Sequence, residues 1–270
     1  MKRILTVVSI VFILASNAAA KEYVMVFGAS YPPFYWMSQT DTTEAKGHGM
    51  FIDLLQAFRK EHPEIDLRMV SLPRKRMDAW IDDGRAQAFS LSSPLFFTPR
   101  ERQNYAFSPT IWTTSDHLVV PRDSKISSTD LEGLRGKTIG FLHGNDYSYL
   151  DTAAEEGLFR QYYAIYSHTL LQMMHHGRLD AVVINRHSLP YHLRRAGLGK
   201  EDVRVLPDPL YEFDLSILVQ KNQQRLLDKL DRFILESRRN GLLKKLEREW
   251  DTFGYTITAP KQTANHILEK

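Results

Sequence analysis

The chain contains no cysteine, which excludes a disulfide framework and any zinc site built on thiolates. Burial of apolar surface must therefore hold the fold together. Long hydrophobic runs are also lacking, since the apolar stretch Ile4 to Leu14 is too short to span a bilayer comfortably. Nucleophile elbows, phosphate-binding loops and zincin motifs are absent as well, so the sequence gives hydrolase or kinase chemistry no positive support.

The N-terminus has the three parts of a secretory signal peptide. Lys2 and Arg3 form a positive region, the apolar run follows, and Ala18-Ala19-Ala20 is a cleavage site of small residues. The pattern predicts that residues 1–20 are removed and that a soluble mature protein begins near Lys21 in the periplasm. A retained membrane anchor is the alternative interpretation of the same segment.

Loss of Lys2 and Arg3 lowers the formal net charge from +3 to +1. A nearly neutral mature chain gives no reason to expect a nucleic-acid partner, and it suits a freely diffusing monomeric receptor. The length of 270 residues allows two modest domains or one large one.

Strand and helix patterns alternate along the first hundred residues. The compact apolar run Tyr23 to Phe27 predicts a buried parallel strand, Gly47 to His62 an amphipathic helix, and Ile65 to Leu72 a second strand. A helix over Pro73 to Asp82 and a strand over Ala86 to Leu91 follow. This order predicts an α/β fold with a mostly parallel sheet.

The same alternation restarts after Val120. We expect three helices, at Ser128–Leu134, Leu170–His176 and Arg186–Arg195, another starting at Tyr147, and strands at Lys137–Leu142 and Leu179–Ile184. A strand over Phe213 to Val219 and two helices within Gln223 to Trp250, broken at Asn240-Gly241, then complete the pattern. The repeated unit predicts a second α/β lobe.

The stretch Ser93 to Val120 combines a turn-rich loop with a segment suited to passing between lobes. Pro99 holds a turn beside Arg100 and Arg102, whose guanidinium groups suit a carboxylate or phosphate. An extended polar run, Thr113 to Asp116, then leads into an apolar strand. We place one crossover between the lobes there and a return crossover at Tyr211 to Asp214.

Five stretches, taken in order and spacing, resemble the family 3 extracellular solute-binding proteins. They are Tyr31-Pro32-Pro33-Phe34, Gly49 to Leu54, Thr98 to Pro109, Leu131 to Gly140 and Gly177 to Val183. The resemblance implies the type II periplasmic binding protein fold, two α/β lobes joined by two crossing strands. It divides the chain into lobe 1 (21–113 and 214–255), lobe 2 (114–213) and a tail (256–270).

In the family, an arginine of the loop that follows the third strand pairs with the ligand carboxylate, and an aspartate takes its ammonium group. The matching positions here are Glu101 and Asn185, so the expected charges are absent at both. Arg100 and Arg102 flank the first position, with the guanidinium that enters the cleft left open. We therefore expect an anionic solute with a weakened requirement for an ammonium group.

Other candidate ligand-binding residues lie in loops. Tyr31, Phe34 and Trp36 form either an aromatic wall for the ligand or a cap on the lobe core. Arg76 sits in a helix start, which suits an anion partner, although a solvated charge is an equal alternative. The predicted site is completed by two polar residues, Ser93 and Asn145.

The histidines lack the spacing of a metal site, so we expect no metal and no cofactor. The predicted function is capture of a small polar solute, an amino acid or related carboxylate, for an ABC-type importer with a membrane permease. A periplasmic sensor subunit is one alternative. A non-receptor alternative is an enzyme resembling cyclohexadienyl dehydratase, with Asp146 and Glu212 as its acid or base candidates.

Overall fold

A computed structural model of the chain describes residues 21–28, 30–38, 45–145, 147 and 149–250. The predicted signal peptide and the predicted tail lie outside these residues. Within them, no helix is long and apolar enough to cross a membrane.

Twelve strands lie within the described residues. In chain order they are β1 (Lys21–Phe27), β2 (Trp36–Met37), β3 (Gly47–His48), β4 (Ile65–Ser71), β5 (Ala88–Ser92), β6 (Tyr105–Phe107), β7 (Trp112–Pro121), β8 (Thr138–Leu142), β9 (Arg160–Ala164), β10 (Ala181–Asn185), β11 (Val203–Val205) and β12 (Tyr211–Gln220).

Seven α-helices accompany the strands in this part of the chain. They are α1 (Met50–Glu61), α2 (Arg74–Asp82), α3 (Tyr149–Glu155), α4 (Ser167–His175), α5 (Leu189–Ala196), α6 (Gln224–Arg239) and α7 (Leu242–Trp250). Short 3-10 turns cover Pro94–Phe96, Glu101–Gln103, Leu131–Leu134 and Lys200–Asp202.

The strands form a sheet in the order β4-β1-β5-β12-β7-β10-β8-β9, with β6 beside β12 and β11 beside β7. At one end, β1 pairs in parallel with β4 and β5, and α1, α6 and α7 pack against these strands in one core. We call this part lobe 1. At the other end, β8 pairs in parallel with β9 and β10 beside α3, α4 and α5, and we call this part lobe 2.

The antiparallel pair β7 and β12 joins the lobes, and we call it the ribbon. Its register places Tyr211 opposite Asp116 and Phe213 opposite Thr114. Because side chains alternate along a strand, these four residues share one face of the ribbon, and Thr113 and Asp214 lie on the other. The predicted crossovers at Thr113 to Asp116 and Tyr211 to Asp214 are thus paired strands.

Most predicted elements are present with shifted ends, but three regions differ. The helix predicted over Ser128 to Leu134 is only a 3-10 turn at Leu131–Leu134. The helix predicted from Arg186 starts at Leu189, since Asn185 and the residues after it form a turn. The sequence pattern predicts no strand at β9, which lies at the sheet edge and carries Tyr162 and Tyr163, 42% and 41% exposed.

Candidate functional site

The loop over residues 31–36 follows β1 and lies across the start of α1. A loop carbonyl accepts a hydrogen bond from the first turn of the helix, since Phe51 N donates to Phe34 O at 2.7 Å. This pairs one of the N–H groups that have no partner within the helix. Gly49 permits this approach, since its φ is +127° and an added Cβ would lie 2.6 Å from the Phe34 oxygen. The helix therefore fixes the loop, which lies beyond the carboxyl end of β1, where open α/β sheets bind their ligands.

The same loop contacts lobe 2. The Ser188 hydroxyl donates a hydrogen bond to the Pro32 carbonyl, and the Trp36 ring lies 5.7 Å from the Tyr191 ring, edge to face. Ser188 immediately precedes α5 and Tyr191 lies within it. The two lobes thus meet beside the ribbon as well as through it.

The aromatic residues of the loop differ in burial, and a ligand wall stays a prediction. Phe34 is fully buried and its ring lies 5.5 Å from Trp112, so it caps the core of lobe 1. Tyr31 and Trp36 are only partly buried. Trp36 stacks on His48 at 4.8 Å, and Tyr31 turns toward the ribbon.

A polar cluster from both lobes lies on the same face of the ribbon as Tyr31. Asn185, at the end of β10, donates through Nδ2 to Asp116 Oδ1 at 2.9 Å and to Thr114 Oγ1 at 3.0 Å. Nδ1 of His187 lies 2.6 Å from the same threonine oxygen. The Tyr31 side chain hydrogen bonds with Thr114 and Asn185. We call these five residues the hinge cluster.

Burial dominates the electrostatics of the hinge cluster. It raises the pKa of the Asp116 carboxyl to about 6, while the hydrogen bond from Asn185 opposes the shift. Burial likewise raises the pKa of Tyr31, Tyr147 and Tyr211, and the nearby Asp116 adds to each shift. The tyrosines are therefore neutral hydrogen-bonding groups around one carboxyl whose pKa is raised.

Two exposed aromatic side chains contact residues of the ribbon beside this cluster. Phe96, from the loop after β5 in lobe 1, is 49% exposed and lies 5.0 Å from Phe213. Tyr149, from lobe 2, is 41% exposed and lies 5.4 Å from Tyr211. Since Phe213 and Tyr211 share the ribbon face that carries Asp116, the carboxyl group has apolar neighbours from both lobes.

The arginines predicted to bind the ligand lie outside the hinge cluster. Arg100 and Arg76 are exposed, and Arg102 is partly buried with its Nε donating to the Phe97 carbonyl at 2.9 Å. Arg102 thereby braces the loop that carries it. A cleft role for any of the three arginines stays a prediction.

Ser93 and Asn145 have local hydrogen-bonding roles. Ser93 is buried, and its hydroxyl accepts a hydrogen bond from Leu95 N at 3.4 Å at the start of a 3-10 turn. Asn145 is exposed, and its amide donates to the Tyr147 hydroxyl at 3.4 Å. Of the nine predicted site residues, the structure joins Tyr31 and Asn185 directly in the hinge cluster, with Phe34 packed against His187 at 5.8 Å.

The candidates for an enzyme's acid or base do not strengthen that alternative. Asp146 lies outside the described residues, and Glu212 is exposed on the ribbon face opposite Tyr211 and Asp116. Among the residues that the structure describes, no group of three histidine, aspartate or glutamate side chains could hold a metal ion.

Sequence reasoning treated Asp116 only as part of a crossover and did not select Tyr147 or Thr114. The available signal was the period of two in Thr-Thr-Ser-Asp, which places Thr114 and Asp116 on one face of an extended strand. Which face meets the cleft depends on pairing with β12 and β10, about 70 to 100 residues away, and local sequence does not carry that information.

Similar proteins agree with this architecture. The arginine-binding extracellular protein ArtP of Bacillus subtilis is 24% identical over 249 residues, covering 88% of this chain and 89% of that protein. The histidine-binding periplasmic protein of Escherichia coli K12 is 23% identical over 267 residues, covering 92% of this chain and 96% of that protein. Both are binding proteins, not enzymes.

Solved structures show the fold at lower identity. A substrate-binding protein of an amino acid ABC transporter superposes with a TM-score of 0.66 at 21% identity, over 86% of this chain and 100% of that one. The model of the bacterial extracellular solute-binding proteins, family 3, matches residues 23–254. The two-lobe α/β fold is therefore of the periplasmic binding protein type, and the chain belongs to family 3 of the bacterial extracellular solute-binding proteins.

Proposed function

We propose that this protein captures a small polar solute between its lobes in the periplasm and delivers it to the permease of an ABC-type importer. The hinge cluster carries the proposal, because Tyr31 comes from lobe 1, Asn185 and His187 come from lobe 2, and the ribbon supplies Thr114 and Asp116. A solute bound there touches both lobes and favours the arrangement in which they are close together.

The ribbon supplies the means of closure. Two antiparallel strands are the described chain segments that pass between the lobe cores, so small changes in φ and ψ near Thr113 to Asp116 and Tyr211 to Asp214 rotate one lobe against the other. The contact of Trp36 with Tyr191 would form or break in this motion. The structure has this contact in place.

The relatives support a solute of amino-acid size. ArtP binds arginine and the Escherichia coli protein binds histidine, as their names state, and both are extracellular or periplasmic. At 24% and 23% identity these names support a class of ligand for the present chain rather than one compound. Permease and ATPase genes beside its gene would favour uptake, whereas a neighbouring kinase gene would favour sensing.

Small-angle scattering combined with a thermal-shift screen tests the proposal. Purified mature protein is screened against amino acids, their deaminated and decarboxylated analogues, and organic acids. A solute present at a hundred times its dissociation constant stabilises the protein by about 2.7 kcal/mol. We expect the radius of gyration to fall on saturation with that solute. Turnover of any compound, or stabilisation with no compaction, would contradict the proposal.

A further inference from the structure

We propose that Asp116 anchors a protonated amine of the ligand, and that the ligand is a cationic amine with an apolar body that needs no α-carboxylate. This inference rests on the proposed function and specifies the ligand of the same cleft. The chain departs from the family pattern at both charged positions, Glu101 and Asn185.

Asp116 is a carboxyl group with no cationic partner among the described residues. Its side chain accepts one hydrogen bond, from the neutral amide of Asn185. Its charge adds to the burial that raises the pKa of Tyr31, Tyr147 and Tyr211, and each of these tyrosines is neutral at physiological pH. A partly buried carboxylate without a cationic partner is most stabilised by a cation that arrives with the ligand.

Two basic residues follow Asn185 in the chain, and their described interactions are with groups other than the Asp116 carboxyl. His187 contacts Thr114 through Nδ1. Arg186 follows Asn185, and its positive charge adds to the burial that lowers the pKa of His117. His117 is one position from Asp116 along β7, so its side chain lies on the opposite face of the ribbon. The position that holds an ammonium group in the family is Asn185, and the structure places Asp116 Oδ1 2.9 Å from its amide. A carboxyl group is therefore present beside this position, but it belongs to Asp116 on the neighbouring strand β7.

The position that pairs with the ligand carboxylate in the family is also altered. Here no neighbouring residue that the structure describes is seen to replace the lost charge. The family's arginine position is Glu101, a residue of opposite charge. Of its neighbours, Arg100 is exposed and Arg102 is engaged with the Phe97 carbonyl. A ligand carboxylate placed beside the ionised Asp116 would be repelled by it.

The body of the ligand is indicated by the exposed rings of Phe96 and Tyr149. Both lie over the face of the ribbon that carries Asp116, one from each lobe. Aromatic faces attract ammonium groups and bury apolar carbon well. An amine attached to an aromatic ring or to an alkyl chain matches this combination.

Isothermal titration of the mature protein with matched pairs tests the ligand class. The pairs are tyramine with tyrosine, histamine with histidine, agmatine with arginine, and cadaverine with lysine. We expect at least one amine to bind, and to bind at least tenfold more tightly than the amino acid of its pair. Tighter binding of the amino acids, or no binding of any amine, overturns the inference.

These outcomes separate the inference from the proposed function. If an amino acid or organic acid binds and compacts the protein while the amines do not, the receptor function stands and the amine assignment fails. If an amine binds without compaction of the lobes, the assignment stands and capture by closure fails.

Two nearly isosteric variants locate the anchor. Asp116→Asn removes the charge on the cleft face, and we expect it to weaken amine binding about 30-fold or more, since a partly buried charge pair is lost. Asp66→Asn removes an exposed carboxylate on β4, the outermost strand of lobe 1, and should change affinity less than threefold. Both variants are checked by circular dichroism and thermal unfolding without ligand. Equal affinities of Asp116→Asn and the unaltered protein would overturn the assignment.

Discussion

The two faces of the ribbon differ sharply although they belong to the same two strands. On the face that carries the hinge cluster, Asp116 is partly buried, accepts a hydrogen bond from Asn185 and has a raised pKa. On the opposite face, Asp214 is exposed and accepts hydrogen bonds from the hydroxyls of Thr113 at 2.6 Å and Thr110 at 3.1 Å. Asp116 and Asp214 are the same residue type, so the surroundings that the lobes contribute make Asp116, and not Asp214, a candidate binding group.

Among the substitutions considered, the largest loss of stability is expected for a buried residue of the aromatic loop over residues 31–36. Phe34→Ala should lower the free energy of unfolding by about 3–5 kcal/mol, because it empties a fully buried position against Trp112. Thr113→Ala, on the opposite face, removes one hydroxyl hydrogen bond and should cost about 0.5–1.5 kcal/mol. Urea denaturation of both variants measures the difference, and similar costs would contradict the contrast between the faces.

Asp116→Asn should have the next largest effect, and it should depend on pH. The folded pKa of about 6 exceeds the ordinary value of 3.8, so the contribution of Asp116 to stability is fully present below pH 3.8 and is lost as the pH rises through 6. With about 1.4 kcal/mol per pKa unit, the loss approaches about 3 kcal/mol at pH 8. The asparagine variant, which stays neutral, should therefore be more stable than the unaltered protein at pH 8 and similar to it at pH 4.

Asp214→Asn is the matched control for this pH effect. It leaves Asp116 in place, so its unfolding free energy should keep the pH dependence of the unaltered protein between pH 4 and pH 8. Denaturation midpoints across this range give the comparison. Loss of the pH dependence in the Asp214 variant would contradict this prediction, because it would mean that the effect arises from Asp214 and not from Asp116.

A smaller effect is expected at the contact between the lobes beside the ribbon. Tyr191→Ala removes the edge-to-face contact with Trp36, which contributes on the order of 1 kcal/mol. The ligand-free protein should then populate more open arrangements and show a larger radius of gyration by small-angle scattering. Tyr162→Ala, on the exposed edge strand β9, is the control and should leave the radius unchanged.

Local sequence carried much of the fold. The strand at Tyr23 to Phe27, the helix within Gly47 to His62 and the break at Asn240-Gly241 could be predicted, because each depends on nearby periodicity or on a turn residue. β9 was missed, since its sequence Arg-Gln-Tyr-Tyr-Ala shows no apolar alternation and the strand depends on pairing with β8.

The candidate site was less predictable for the same reason. Tyr31 and Asn185 could be selected from the resemblance to the family, but Asp116 joins them only through strand pairing with β10 and β12. The arginines selected for their charge lie in a loop where Arg102 bonds to the backbone. A cleft role for these arginines stays a prediction, whereas the structure brings Tyr31 and Asn185 together with Asp116.

The ionisation of Asp116 in the ligand-free protein tests the central claim most directly. A carbon-detected NMR titration of the side-chain carboxyl groups, with the Asp116 signal assigned by its disappearance in Asp116→Asn, gives the pKa of this group. We predict a midpoint near 6, as expected for a partly buried carboxyl group that has no cationic partner among the described residues. A midpoint near the ordinary value of 3.8 would contradict the account, because it would mean that solvent or a cation already stabilises the charge.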